Sequence, residues 1–347
     1  MKDKPMPLRL FAFRLAAVIG LMLTPLAASA QTKIRFALDW RFEGPAALFL
    51  HGLDKGYFRD EGLDVTIEPG AGSREPIQRV ATGGFDLGFG DVNTLIRFRD
   101  QNPTADVKAV MMVYDKPPFA IIGRRSRGVT PDVRNLIGKR FGAPAGDGAF
   151  AQWPVFRTVN KLDESTMKFD NVGFPVREPM LASGELDAVF GFAHSSFINL
   201  KARGVPADDI VVLLMADYGV ELYGNAVIAN PKFLAEKPEA MKGFLRALAR
   251  SVKDVVASPE EAIDSVMRRN DSARRDVELE RLKMTVDNYV NTDWVKANGF
   301  GGIDPARWRT ALDQISIGAP LKDRAKAGDA FTDSYLPKPD DRKLEAS

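Results

Sequence analysis

Few residues in this chain are equipped for covalent chemistry. The 347 residues include two histidines, His51 and His194, and no cysteine. That set cannot assemble a zinc site of ordinary ligand type or a thiol nucleophile. Neither a G-x-S-x-G elbow nor a Walker loop is present. Gly146–Ala151 fits the dinucleotide pattern G-x-G-x-x-A, which carries little weight alone. His51 lies in an apolar helix-like run and reads as a packed structural residue, whereas His194 follows a strand end. Binding groups recur instead. Asp39 and Trp40 close one strand-like run. Pro69–Ser73, with Gly72 and Ser73, leads from another toward a helix, with Arg74 just ahead of it. Gly90–Asn93 carries Asp91 and Asn93 at a third. Further along, Asp147, Gly148 and Ala149 open a helix after a strand, and Phe192, His194 and Ser195 repeat the arrangement. Tyr218, Tyr223 and Asn225 lie near a later crossing. Glycine-rich loops that feed helix N-termini expose backbone N–H groups and suit an anion or a carbonyl. The same residues also make ordinary turns and caps, and Trp40 fits both a stacking face and the edge of a core.

The elements that must position these groups alternate. Ile34, Phe36 and Leu38 share one face of a strand over 33–38. A helix over 46–53, a strand over 64–68, a helix over 75–82, a strand over 85–89, a helix over 93–99 and a strand over 107–114 follow. A second series places strands at 139–143, 169–172, 188–192 and 210–214, with helices near 149–161, 176–183 and 195–203. One more strand is expected at 225–230. This alternation predicts an α/β fold with mostly parallel sheets flanked by helices, and ligands in such sheets sit beyond the carboxyl ends of the strands. Phe244, Leu248, Val252 and Val256, then Leu279, Leu282, Val286 and Tyr289, mark long amphipathic helices. The Pro- and Gly-containing stretches at Lys116–Phe119 and Tyr218–Tyr223 suit hinge crossings as well as plain turns.

Residues 1–30 read as an export leader: a basic start, the apolar run Leu15–Leu23, and the small-residue site Ala28–Ala30 with cleavage expected after Ala30. That run is too short to span a membrane, and without a cysteine near the cut no lipid anchor is expected. The remaining 317 residues suit two domains. The formal charge of the whole chain is +2; removing four basic residues and one acidic residue with the leader leaves about −1. That balance gives no reason to expect a nucleic-acid partner.

The run "ALDWRFEGPAALFLHGLDKGYFRDEGLDVTIEPGAGSREPIQRVATGGFDLGFGDVNTL", and above all "DKGYFRDEGLDV" within it, resembles the substrate-binding proteins of ABC importers. "GVTPDVRNLIGKRFGAPAGD" and "YGVELYGNAVIANPKFLAEKPEAMKGFLRAL" extend the resemblance over about residues 33–312. The group concerned binds alkanesulfonates, taurine, nitrate and thiamine-pyrimidine precursors. The resemblance implies a type II periplasmic binding protein fold with two hinge crossings. Lobe 1 would be residues 33–121 plus 224–320, lobe 2 residues 122–223, and 321–347 a C-terminal tail. It further implies a monomer without cofactor or catalytic role, working in the periplasm with a small-molecule ligand and an inner-membrane permease. Pyrimidine binders look similar at Asp39–Trp40 and at the "YGV…Y" stretch, but commonly carry a carboxylate where this chain has Asn225. The alternative ligand is an oxyanion held by Ser73, Ser195 and Arg74. Another class, the pyrimidine synthase that resembles these binders, has a cysteine-rich motif absent here.

Overall fold

A computed structural model describes residues 31–344; the expected leader lies outside them. Among the described residues, ten strands form two five-stranded sheets. The first has the order β2-β1-β3-β10-β4, from Leu63–Glu68, Thr32–Ala37, Leu87–Asp91, Asn225–Ala229 and Lys108–Met112. The second has the order β7-β6-β8-β5-β9, from Lys168–Asp170, Arg140–Gly142, Ala188–Phe192, Phe119–Arg124 and Ile210–Leu214. β1 pairs parallel with β2 and β3, and β6 pairs parallel with β7 and β8. In each sheet one strand runs against the rest: β10 between β3 and β4, and β5 between β8 and β9.

These two are the strands that follow a crossing from the other sheet. A chain leaving β4 at its carboxyl end enters the second sheet from the side where that sheet's own parallel strands finish. It must run away from that side, so the incoming strand is antiparallel, and the return from β9 into β10 obeys the same geometry. β5 escaped the sequence reading because Pro117 and Pro118 assigned its start to the crossing. Its Ala120, Ile121 and Ile122 are fully buried, as strands covered on both faces are. Since β5 begins at Phe119, the outward crossing lies ahead of residue 119, earlier than the boundary expected at 121.

The first sheet is backed by the helix Pro238–Ala257, whose Met241, Phe244, Leu245, Leu248, Val252 and Val255 are buried. Pro238 stands in its first turn, where a missing N–H costs nothing. Phe244 meets Phe36 and Phe58 with ring centroids 5.3 and 5.0 Å apart. Against the helix Ala47–Asp54, Ser251 accepts from Gly52 N at 2.8 Å and donates to Leu48 O at 2.7 Å. A Cβ on Gly52 would stand 2.7 Å from that of Ser251, so this crossing needs glycine. The segment after 320 packs against the first sheet: Phe331 bridges to Ala109, and fully buried Arg99 donates to Lys326 O at 3.3 Å. No helix of the described residues is long and apolar enough to cross a membrane.

Candidate functional site

A cavity of about 610 Å³, its mouth included, lies where the carboxyl ends of β1 and β3 face those of β6 and β8. The first-sheet side contributes Leu38, Asp39, Trp40, Arg41, Glu43, Pro45, Ala46, Phe49, Gly72, Ser73, Phe89 and Tyr114. The opposite side contributes Asp147, Gly148, Phe174, Arg177, Phe192, His194 and Ser195. The two sides touch: the Trp40 and Phe174 rings stand 5.0 Å apart at 68°, an edge-on packing. A Cβ on Gly72 would meet Gly146 O and the Phe174 ring at 3.0 Å, and φ there is +105°, so only glycine lets the walls approach this closely.

Nine residues singled out from sequence line this cavity: Asp39, Trp40, Gly72, Ser73, Asp147, Gly148, Phe192, His194 and Ser195. Four more stand one layer behind it. Asn225 donates its Nδ2 to Asp39 Oδ2 at 2.7 Å. Asp91 caps the helix Val92–Gln101, accepting from Asn93 N at 3.0 Å and Thr94 N at 2.9 Å. Asn93 donates to Tyr223 O at 2.7 Å, and Ala149 N donates to Asp147 Oδ1 at 2.8 Å. Asp91 and, in part, Asp147 thus serve as helix caps.

The remaining three do not reach the cavity. Arg74 is exposed on the opening turn of its helix. Tyr218 packs against Phe156 and donates its hydroxyl to Pro131 O at 2.9 Å. Tyr223 is fully buried beside the return crossing, with its hydroxyl accepting from Asp304 N at 2.7 Å and Arg307 lying 4.0 Å over its ring. A tyrosine placed before a strand can turn toward a cleft or into the core, and sequence does not distinguish the two.

Glu43, Tyr114, Phe174 and Arg177 line the cavity without having been singled out. Glu43 accepts the Trp40 indole N–H at 3.2 Å and so orients that ring. Arg177 comes from the helix Phe174–Ser183 and is fixed by Asp147 Oδ2 at 2.7 Å, Glu178 Oε1 at 2.8 Å and Phe190 O at 3.0 Å. The only signal that could have found it was a charged pair, Arg177–Glu178, inside an otherwise apolar helix.

Burial sets the electrostatics. It pushes the Asp39 carboxyl up to about 7, a rise moderated by the Asn225 hydrogen bond. Asp91 is pushed up to about 6 for the same reason, with its helix-capping bonds opposing. Glu43 is raised by burial, eased by the Arg281 charge. His194 is pushed down to about 3 by burial and by Arg281, so it stands neutral, and its Nδ1 has no hydrogen-bond partner. Burial works against the charge of Arg177, but Glu178 and Asp147 more than offset it. The cavity thus presents aromatic and aliphatic walls, a neutral imidazole, the exposed Arg41 and three carboxyls; one of these, Asp147, joins Glu178 in neutralising the buried Arg177. No group of three or more metal-ligating side chains occurs among the described residues.

Comparison with known proteins gives matches in both family and fold. The model of the family described as NMT1/THI5 like matches residues 46–262. A formylaminopyrimidine-binding protein from Halalkalibacterium halodurans is 27% identical, with 87% of this chain and 90% of that protein covered. A 4-amino-5-hydroxymethyl-2-methylpyrimidine phosphate synthase from Candida albicans is also 27% identical, covering 78% of this chain and 83% of that one. Among solved structures, the alkanesulfonate-binding protein of Xanthomonas axonopodis pv. citri, bound to MOPS, superposes with a TM-score of 0.65 at 15% identity. That match covers 88% of this chain and 99% of the other, and it establishes the periplasmic binding protein fold.

Proposed function

The chain belongs to the NMT1/THI5-like family, and from that premise we propose that it is the solute-binding component of an ABC import system. In this reading it is exported to the periplasm, takes up a flat, amine-bearing heterocycle of the aminopyrimidine type, and hands it to a permease. The observation that carries the ligand class is the charge of the cavity. Asp39 and Glu43 face it from one side, and Arg177 opposite is spent on Asp147 and Glu178. A sulfonate or nitrate would meet the Asp39 and Glu43 carboxyls, with Arg177 already committed and the other lining cation, Arg41, exposed beside the Trp40 ring, whereas a ring amine gives both carboxyls a donor. Trp40, Phe174 and Phe192 supply faces and edges for the ring. The formylaminopyrimidine-binding relative supports the same class of solute.

Asn225 fits this scheme without touching the ligand. At the position where pyrimidine binders resembling this chain carry a carboxylate, Asn225 donates to Asp39 and so orients that acid rather than supplying a second one. Binding across both walls favours the closed arrangement by the difference in affinity between states. Lobe 1 would hold the first sheet and the C-terminal helices, and lobe 2 the second sheet.

The test is a thermal-shift series on the protein, comparing aminopyrimidines and their N-formyl derivatives with taurine, alkanesulfonates and nitrate. A ligand at a hundred times its Kd adds about 2.7 kcal/mol. A raised midpoint with aminopyrimidines alone is expected; a rise with oxyanions alone overturns the ligand class. Mass spectrometry of the recovered ligand separates carrier from synthase: unchanged ligand at one equivalent supports the carrier, and a converted product overturns it.

A further inference from the structure

Arg281 does not line the cavity, yet it touches both of its walls. It projects from the helix Arg275–Thr285 and is 2% exposed. On the first-lobe side its Nε donates to Glu278 Oε2 at 3.0 Å and stands 3.6 Å from Glu43 Oε2, the atom that also accepts the Trp40 indole. The backbone of that loop is held by the same group, since Gly44 N donates to Glu278 Oε2 at 2.6 Å. A Cβ on Gly44 would come within 2.4 Å of Glu278 O, so the loop rests directly on the helix. On the second-lobe side Arg281 Nη1 donates to His194 O at 3.3 Å and Ser195 O at 3.2 Å, and Nη2 to Asn199 Oδ1 at 3.1 Å. Lys201 and Glu280 form a second, exposed ion pair between the same two helices.

We propose that Arg281 is a positioning residue of the binding site: one buried guanidinium sets the Glu43–Trp40 wall and bolts the His194–Ser195 wall to it. The inference rests on the binding role proposed above. Separating the lobes leaves Glu43 and Glu278 with Arg281 but removes the two carbonyls and Asn199. Opening would exchange those acceptors for water at a modest net cost per bond, so Arg281 and a bridging ligand favour the same closed state. The apparent affinity then scales with the fraction of protein that is closed.

The absence of cysteine allows a clean pair of spin labels across the cleft, at Gln78→Cys and Val176→Cys, both exposed positions on opposite lobes. The ligand-free parent is expected to populate the short distance, and Arg281→Lys to shift much of it to a longer one. Lysine keeps the charge beside Glu43 and Glu278 but cannot reach three acceptors on the other lobe. Affinity for the N-formyl aminopyrimidine should fall about tenfold if the closed fraction does, and saturating ligand should restore the short distance. Asn199→Ala, which leaves no charge unpaired, should shift distances the same way by less. Unchanged distances in Arg281→Lys, or in Asn199→Ala should the lysine variant not fold, overturn the proposal; so does a parent that is already open. If the parent binds no aminopyrimidine, the ligand reading fails, while the ligand-free distances still judge Arg281.

Discussion

On the first-sheet wall of the cleft, Asp39 has one side-chain donor, Asn225, and is pushed up to about 7 by burial. On the facing wall, Asp147 is more deeply buried and accepts from Arg177, Ala149 N and Phe150 N. The two acids sit at comparable places, each after the carboxyl end of a parallel strand. They differ in how completely the protein satisfies them. An acid short of donors remains available to a ligand that brings its own, whereas a saturated network holds its shape whether or not the site is filled. One wall is thus built to recognise and the other to stay rigid.

Breaking the rigid wall should give the largest effect. Arg177→Met leaves Asp147 and Glu178 buried without their cation, and should cost about 3–5 kcal/mol in chemical denaturation. A loss within experimental error would mean that water reaches these acids. On the recognising wall, Trp40→Ala removes a ring that packs edge-on against Phe174. Titration calorimetry should give an aminopyrimidine affinity about tenfold weaker or worse, with unfolding free energy changed by about 1 kcal/mol or less. Retained affinity would take Trp40 out of the site.

The pH response sharpens the same contrast. Asp39 is raised in the folded state, so the fold takes up a proton that the unfolded chain, with a carboxyl near its ordinary value, does not. Its contribution is therefore fully present below the ordinary carboxylate value of 3.8 and is lost progressively as pH rises from there through about 7. Asp39→Asn should stabilise the ligand-free protein more at pH 8 than at pH 6, by on the order of 1 kcal/mol, while weakening aminopyrimidine binding at both. Equal melting-temperature shifts at the two pH values would place Asp39 in contact with solvent. The smallest effect belongs to Tyr218→Phe, which removes one exposed hydrogen bond far from either wall. Affinity should not move, and stability should change by about 0.5 kcal/mol or less.

Much of this arrangement could be read before any coordinates. Ile34, Phe36 and Leu38 alternate, and their strand is β1; Phe244, Leu248 and Val252 recur at four-residue steps, and they are buried along one helix. Local chemistry also marked the loops after β3 and β6, where Asp91 and Asp147 cap the helices that follow. What escaped was governed by distance along the chain. Arg177 pairs with Asp147 across 30 residues, and Asn225 with Asp39 across 186. β5 lost its identity to the prolines ahead of it, and only its pairing between β8 and β9 makes Phe119–Arg124 a strand.

The sequence by itself determined the alternating α/β order, the absence of thiol chemistry and the strand ends that build the cleft, since each depends on residue type and short-range spacing. The tertiary structure alone decided that Tyr223 turns into the core, that Asn225 serves Asp39 rather than the cavity, and that Arg177 is neutralised while Asp39 and Glu43 are left facing it. Those outcomes depend on which groups are desolvated together. Desolvation is a property of the packed molecule, and no segment of the chain carries it alone.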